Sequence, residues 1–121
     1  PGSTFKILTL AAALDSGSTH LEDSFYCNGG YIVNGERIKC WKHAGHGSQN
    51  LTRATENSCN CCFMKLALTM GTEKFYDYLY AFGLGQSTGS GLVGESEGIV
   101  THQKYVTQND LARIGFGQSI A

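Results

Sequence analysis

The apolar positions of the chain change their spacing from segment to segment, and each change predicts an element. Positions 3–14 carry Phe5, Ile7, Leu8, Leu10, Ala11, Ala12, Ala13 and Leu14. That leaves almost no polar face, a pattern that predicts a helix buried on all sides. Pro1 and Gly2 break what precedes it, Ser3 is a good N-cap, and Asp15-Ser16-Gly17 ends it. Tyr31-Ile32-Val33 and Arg37-Ile38-Lys39-Cys40 flank Asn34-Gly35, and Asn-Gly between β-type runs predicts a tight hairpin. Residues 41–49 read as a loop. Leu51–Glu56 suggests a short helix, and Asn60–Met70 a second strongly apolar one that Gly71 stops. Thr72 caps a third, in which Phe75, Tyr76, Tyr78, Leu79 and Phe82 recur at helical spacing. Positions 83–98 are rich in Gly and Ser and read as a long loop. Thr107-x-x-Asp110 opens a last short helix, and Gly115-Phe116-Gly117-Gln118 follows it. The expected fold is mainly α with a small β-hairpin. Two of its helices demand burial, yet the pattern supplies no sheet to cover them, so the chain reads as one incomplete domain cut from something larger.

Composition narrows the function. The chain has 121 residues, 41% hydrophobic and 16% charged, which favours a packed core over a disordered tail. A net charge of −1 without a basic cluster gives nothing to recruit a nucleic acid or an anionic membrane surface. The longest apolar run falls far short of the roughly 20 residues that a membrane span needs. Five cysteines are present: Cys27, Cys40, Cys59, Cys61 and Cys62. Cys27 and Cys40 flank the hairpin and could meet across it in an oxidising compartment. The other three look like small core hydrophobes. Cys40, His43 and His46 raise the question of zinc, but no pair of C-x2-C motifs and no H-x3-H occurs, so no metal ligand is assigned. The two histidines read as structural or solvated.

The puzzling residue is Lys6, because a buried helix is a costly place for an ammonium. Ser3 and Lys6 stand three apart, which on a helix puts both side chains on one face with Cβ atoms about 5–6 Å apart. A serine at the helix start lies where unpaired backbone N–H groups and the positive end of the helix dipole favour a developing anion. A desolvated lysine loses affinity for its proton and becomes a base toward that hydroxyl. Ser58-Cys59-Asn60 stands just before an apolar helix, and its hydroxyl and amide, two residues apart, can point into one cleft. Each triad also has a plain reading. Ser3 serves as an N-cap beside a solvated lysine, and Ser58 as the cap of its helix.

Together the two triads, in this order, resemble the S-x-x-K and S-x-N motifs of penicillin-binding proteins and serine β-lactamases. The resemblance runs along the whole chain. Pro1-Gly2-Ser3-Thr4-Phe5-Lys6, Ile38-Lys39-Cys40-Trp41 leading to Gly45-His46-Gly47, and Phe63 after the second triad are similar to class B penicillin-binding transpeptidases. So are Phe82-Gly83-Leu84-Gly85 with Thr88-Gly89, Gly94-Glu95, and Gly115-Phe116-Gly117-Gln118. The cysteine-bearing hairpin leans toward the sporulation-type members. The resemblance implies the helical part of an α/β transpeptidase domain that lacks most of its central antiparallel sheet. It implies Ser3 as the nucleophile that attacks a peptidoglycan stem peptide, Lys6 as its base, Ser58 as a proton relay to the leaving D-Ala, and Asn60 as the residue that holds the substrate amide. The backbone N–H of Ser3 would form half of an oxyanion hole. The implied partners are stem peptides and β-lactam antibiotics, with no nucleic acid and no cofactor. The implied location is the extracytoplasmic face of a bacterial membrane, reached only through an anchor in the parent protein. Two departures stand out: no K-T-G occurs, and Val93 replaces the usual proline before Gly94-Glu95. The absent strands leave the central helix exposed and much apolar surface uncovered, which predicts that this chain alone is inactive. Two rival readings remain open here: a penicillin-recognising sensor that acylates without cross-linking, and a small Cys/His metal-binding module.

Overall fold

The computed structural model describes residues 2–82 and 106–117, with the backbone alone for residues 2–4. Five helices and four short strands occupy the described residues. Helix α1 spans Gly2–Asp15 and is followed by strands β1 (Ser24–Cys27), β2 (Gly30–Val33), β3 (Glu36–Lys39) and β4 (Gly47–Asn50). Then come α2 (Leu51–Glu56), α3 (Asn60–Met70), α4 (Thr72–Ala81) and α5 (Gln108–Gly115). None of these helices is long and apolar enough to cross a membrane.

The predicted hairpin is present. β2 pairs antiparallel with β3, Val33 opposite Glu36, across a turn in which Asn34 has φ +50° and Gly35 +81°. Two successive residues with positive φ are what a tight hairpin turn requires, which is why Asn-Gly occupies it. The segment expected to be a loop is partly strand. Gly47–Asn50 pairs antiparallel with Ser24–Cys27, Cys27 opposite Gly47 and Phe25 opposite Gln49. The inner hairpin is thus bracketed by an outer pair. Polar Gly-Ser-Gln-Asn carries no alternation that would announce a strand.

Helix α3 is the centre of the core. Cys62, Phe63, Met64, Leu66 and Ala67 are all buried. Helix α5 lies so close to it that a Cβ on Gly115 would fall 2.6 Å from Ala67 Cβ and 2.7 Å from the Phe63 carbonyl oxygen. Its start is fixed by the capping box foreseen from Thr107 and Asp110. Asn109 donates to the Val33 carbonyl at 2.9 Å and to Glu36 Oε1 at 2.7 Å, and Arg113 pairs with Glu36, so α5 also holds the hairpin. On the far side α1 closes the core through Phe5, edge-on to Phe75 at 6.5 Å, and through Ala12 and Ala13.

Helix α1 departs from expectation in orientation. It is not buried all round, since Ile7 is 64% exposed and Leu14 39%, while Lys6 and Thr9 face the core at 6% and 0%. The polar residues turn inward because each has a partner there: Thr9 Oγ1 donates to the Gly115 carbonyl at 2.7 Å, and Lys6 meets Ser58. A helix without a polar face has no sequence signal for its own rotation. Two caps are also corrected. Gly71 rather than Thr72 is the N-cap of α4. Cys59 rather than Ser58 occupies the N-cap position of α3. The loop expected over 83–98, and the motif residues Gly83, Leu84, Gly85, Thr88, Gly89, Val93, Gly94, Glu95 and Gln118, lie outside the described residues.

Candidate active site

Three backbone features converge at the inner face of α1. Ser3 lies in the first turn of that helix, as its second residue rather than its cap. Lys6 stands one turn further on and faces inward. Ser58 is presented by the three-residue link between α2 and α3, where it adopts φ +51°. That left-handed conformation costs a non-glycine residue roughly 1–2 kcal/mol. It persists because both neighbours are fixed: Asn57 N–H bonds the Arg53 carbonyl and Cys59 N–H the Ala54 carbonyl.

The side chains join accordingly. Lys6 Nζ donates to Ser58 Oγ at 2.8 Å and to the Ser58 carbonyl at 2.8 Å. The same carbonyl accepts from Trp41 Nε1 at 2.9 Å, and the indole also reaches the Asn57 carbonyl at 3.1 Å. Phe63 presents its ring to Lys6 Nζ at 5.7 Å from the centroid, a cation–π distance. Burial pulls the Lys6 ammonium below its ordinary value of 10.5, and the neighbouring Cys40, Cys59 and Cys62 oppose that shift without cancelling it. This is the environment of an amine that releases its proton more readily than a surface lysine. Asn60 is the first residue of α3 and half-buried. Its backbone N–H and that of Lys42 face the Cys40 thiol. Lys6 of the first triad and Ser58 of the second, 52 residues apart in sequence, are therefore in direct contact.

A family model described as the penicillin binding protein transpeptidase domain matches residues 1–121. The chain belongs to the penicillin-binding transpeptidase family. It is 44% identical over 122 residues to Stage V sporulation protein D of Bacillus subtilis, covering 100% of this chain and 19% of that protein. It is 33% identical to penicillin-binding protein PbpB of Mycolicibacterium smegmatis, again over 100% of the chain and 19% of the relative. Among solved structures, the apo transpeptidase domain of Burkholderia pseudomallei penicillin-binding protein 3 superposes with a TM-score of 0.85 at 26% identity, covering 99% of this chain and 36% of that one. The chain thus spans about a fifth of the length of these curated relatives. The fold is that of a partial penicillin-binding transpeptidase domain, about half helical.

Some features of this transpeptidase segment were not visible in the sequence. Phe63 faces the Lys6 ammonium and Trp41 shares the Ser58 carbonyl with it, but each reads in isolation as an ordinary aromatic. The cysteines were expected to be a hairpin pair and a core trio. The structure groups them otherwise. Cys27 and Cys40 do approach across the hairpin but remain free thiols, and Cys59 and His46 join them. His43 is exposed. The Cys59 thiol is held well below its ordinary value, chiefly by a hydrogen bond with Cys61, while that contact and burial push Cys61 up.

Proposed function

We propose that this chain is the acylating-serine segment of a peptidoglycan D,D-transpeptidase. In this reading Ser3 attacks the carbonyl of the penultimate D-Ala of a stem peptide, and Lys6 takes its proton. Ser58 returns a proton to the departing D-Ala, and Asn60 holds the substrate amide. The positive end of α1 stabilises charge at Ser3, and the Ser3 backbone N–H supplies one oxyanion donor. An amine from a neighbouring stem peptide then resolves the acyl-enzyme and forms the cross-link. A β-lactam acylates the same serine and stays there. The parent protein acts at the extracytoplasmic face of the membrane.

The observation that carries this reading is the double hydrogen bond from a buried lysine to the hydroxyl and carbonyl of Ser58. A lysine that served only packing has no need of a strained serine 52 positions away. A lysine that must lose and regain a proton needs a hydroxyl within proton-transfer reach, and 2.8 Å provides it.

The experiment is covalent labelling of the longer polypeptide that contains this chain, using a fluorescent penicillin. The parent protein should label, Ser3→Ala should not label at all, and Ser58→Ala should label at least 100-fold more slowly, within the roughly 10²–10⁴-fold worth of a positioned proton-transfer group. Retention of label by the folded Ser3→Ala variant overturns the assignment.

A further inference from the structure

We propose that Cys27, Cys40, His46 and Cys59 form a closed tetrahedral zinc site that fastens the Ser58 turn to the strands. Each residue offers one ligand atom, and these four atoms all lie within 4.8 Å of one another. Cys40 Sγ and His46 Nδ1 are 3.8 Å apart. Zinc bound through sulfur at about 2.3 Å sets tetrahedral edges of about 3.8 Å, so the widest pair has to close by at most about 1 Å. Rotation about side-chain bonds accomplishes that without moving the backbone.

The donor chemistry selects the ion. Three thiols and one imidazole are soft ligands that suit zinc, and three cysteines with one histidine is a recurring structural zinc set. Four protein ligands leave no open position, so the ion is structural rather than catalytic.

Two simpler accounts leave donors unexplained. If the thiols were only small hydrophobes, the imidazole among them would take ordinary hydrogen-bond partners. Instead Nδ1 meets only the Cys40 sulfur, and Nε2 is buried with no partner among the described residues. A disulfide would use two sulfurs and leave the third, with the imidazole, unaccounted for.

The backbone is built to bring the donors together. Cys27 ends β1, Cys40 follows β3, His46 precedes β4, and Cys59 opens α3. Cys40 N–H bonds the Gly29 carbonyl at 2.9 Å. The loop before His46 presses onto the turn after Cys27: a Cβ on Gly45 would sit 2.4 Å from the Cys27 carbonyl oxygen, and one on Gly29 2.1 Å from the His43 carbonyl oxygen. Only glycine permits that approach, and it carries His46 to the sulfurs. An open cleft of about 510 Å³, lined among others by Lys42, His46, Gln49 and Asn57, gives an ion a path from solvent to the imidazole.

The position matters because Cys59 lies between Ser58 and Asn60. A metal bond at Cys59 fixes the turn whose strained serine meets Lys6, and the α3 start that carries Asn60. The zinc site is independent of whether the chain acylates, and its test does not use activity.

The test is metal content by mass spectrometry of the longer polypeptide, purified under reducing conditions and equilibrated with zinc(II), together with the visible spectrum after cobalt(II) replacement. We expect about one zinc per chain and the ligand-field and thiolate charge-transfer bands of a tetrahedral cobalt site. Cys27→Ser, Cys40→Ser, His46→Ala and Cys59→Ser should each weaken binding by more than the roughly 10–100-fold that loss of an outer-shell partner costs. Cys61→Ser and Cys62→Ser should bind as the parent does. Reduced thiols that hold no zinc overturn the proposal without need of any variant. So does zinc bound equally by the parent and by folded variants of all four residues, or a cobalt spectrum without thiolate bands.

Discussion

Lys6 is held between opposed demands. Removal from water favours its neutral form, while the hydrogen bonds to Ser58 and the neighbouring thiols favour the ammonium, and burial is the larger effect. The sign of the pH dependence follows. With its folded value below 10.5, the unfolded chain binds this proton more tightly than the folded chain. Stability contributed at this position therefore increases as pH rises through the interval between the lowered folded value and 10.5. In the longer polypeptide, the melting temperature of the parent relative to Lys6→Met should climb between neutral pH and about pH 10. A difference that stays flat or falls as pH rises would show that Lys6 is not desolvated as described. How Lys6 was legible is instructive. A charged residue on a faceless apolar helix announces itself by its cost, and S-x-x-K follows from counting. Its partner does not, because nothing in Ser58-Cys59-Asn60 states that Ser58 takes positive φ or that its carbonyl also receives Trp41. The four metal-type donors were harder still. Their spacing, C-x12-C-x5-H-x12-C, matches no short ligand motif, since pairing of β1 with β4 rather than sequence proximity collects them.

Elements whose hydrogen bonds are local were the readable ones. The structure places α2 and α3 at the predicted boundaries, and the β2–β3 hairpin at its Asn-Gly turn. Missed were β1 and the polar segment Gly47–Asn50 that forms β4, which pair with each other across the inserted hairpin. Each strand is four residues long, too short to display a period against the noise of composition. The packing of α5 on α3 was equally hidden, because it depends on what one residue lacks. Gly115 has no side chain where Ala67 Cβ and the Phe63 carbonyl already stand at 2.6 and 2.7 Å from a virtual Cβ. The Phe63 oxygen is backbone of the central helix and cannot rotate aside. Gly115→Ala should therefore push α5 outward and destabilise the domain by about 1–3 kcal/mol, the usual range for overpacking. The same shift would stretch the Thr9 hydrogen bond to the Gly115 carbonyl, 2.7 Å in the native packing. Chemical denaturation of the longer polypeptide carrying Gly115→Ala checks this, with Gly35→Ala as a contrast. Gly35 has φ +81° but nothing within 4 Å of its virtual Cβ, so that change adds strain without a clash. A Gly115→Ala variant as stable as the parent would show that the close approach of α5 to α3 is not what Gly115 serves.

At the scale of the molecule, the question is what the outer face of α1 meets. Ile7, Ala11 and Leu14 are all exposed, and their spacing of four and then three makes one stripe along the helix. Such a stripe opposite an inward-facing lysine is the reverse of a surface helix, whose charged residues face water. The matched transpeptidase domain of Burkholderia pseudomallei penicillin-binding protein 3 is covered by this chain over only 36% of its length, and this chain contains no K-T-G. The remainder of such a domain is the natural cover for the stripe. Packing there would also fix the pose of the helix start that carries Ser3. Burying the parts of Ile7 and Leu14 that are exposed here, 64% and 39% of those residues, is worth about 1.5–3 kcal/mol for the two together, enough to make α1 in the isolated chain measurably less ordered than in the longer polypeptide. Hydrogen exchange of the α1 amides should accordingly be faster in the isolated chain. A fluorescent penicillin should leave the isolated chain unlabelled while it labels the longer polypeptide, because in the proposed reading acylation needs the start of α1 held in place. Equal exchange in the two would mean that the stripe faces water in both. A Ser3 adduct on the isolated chain would mean that the residues of this chain suffice for acylation.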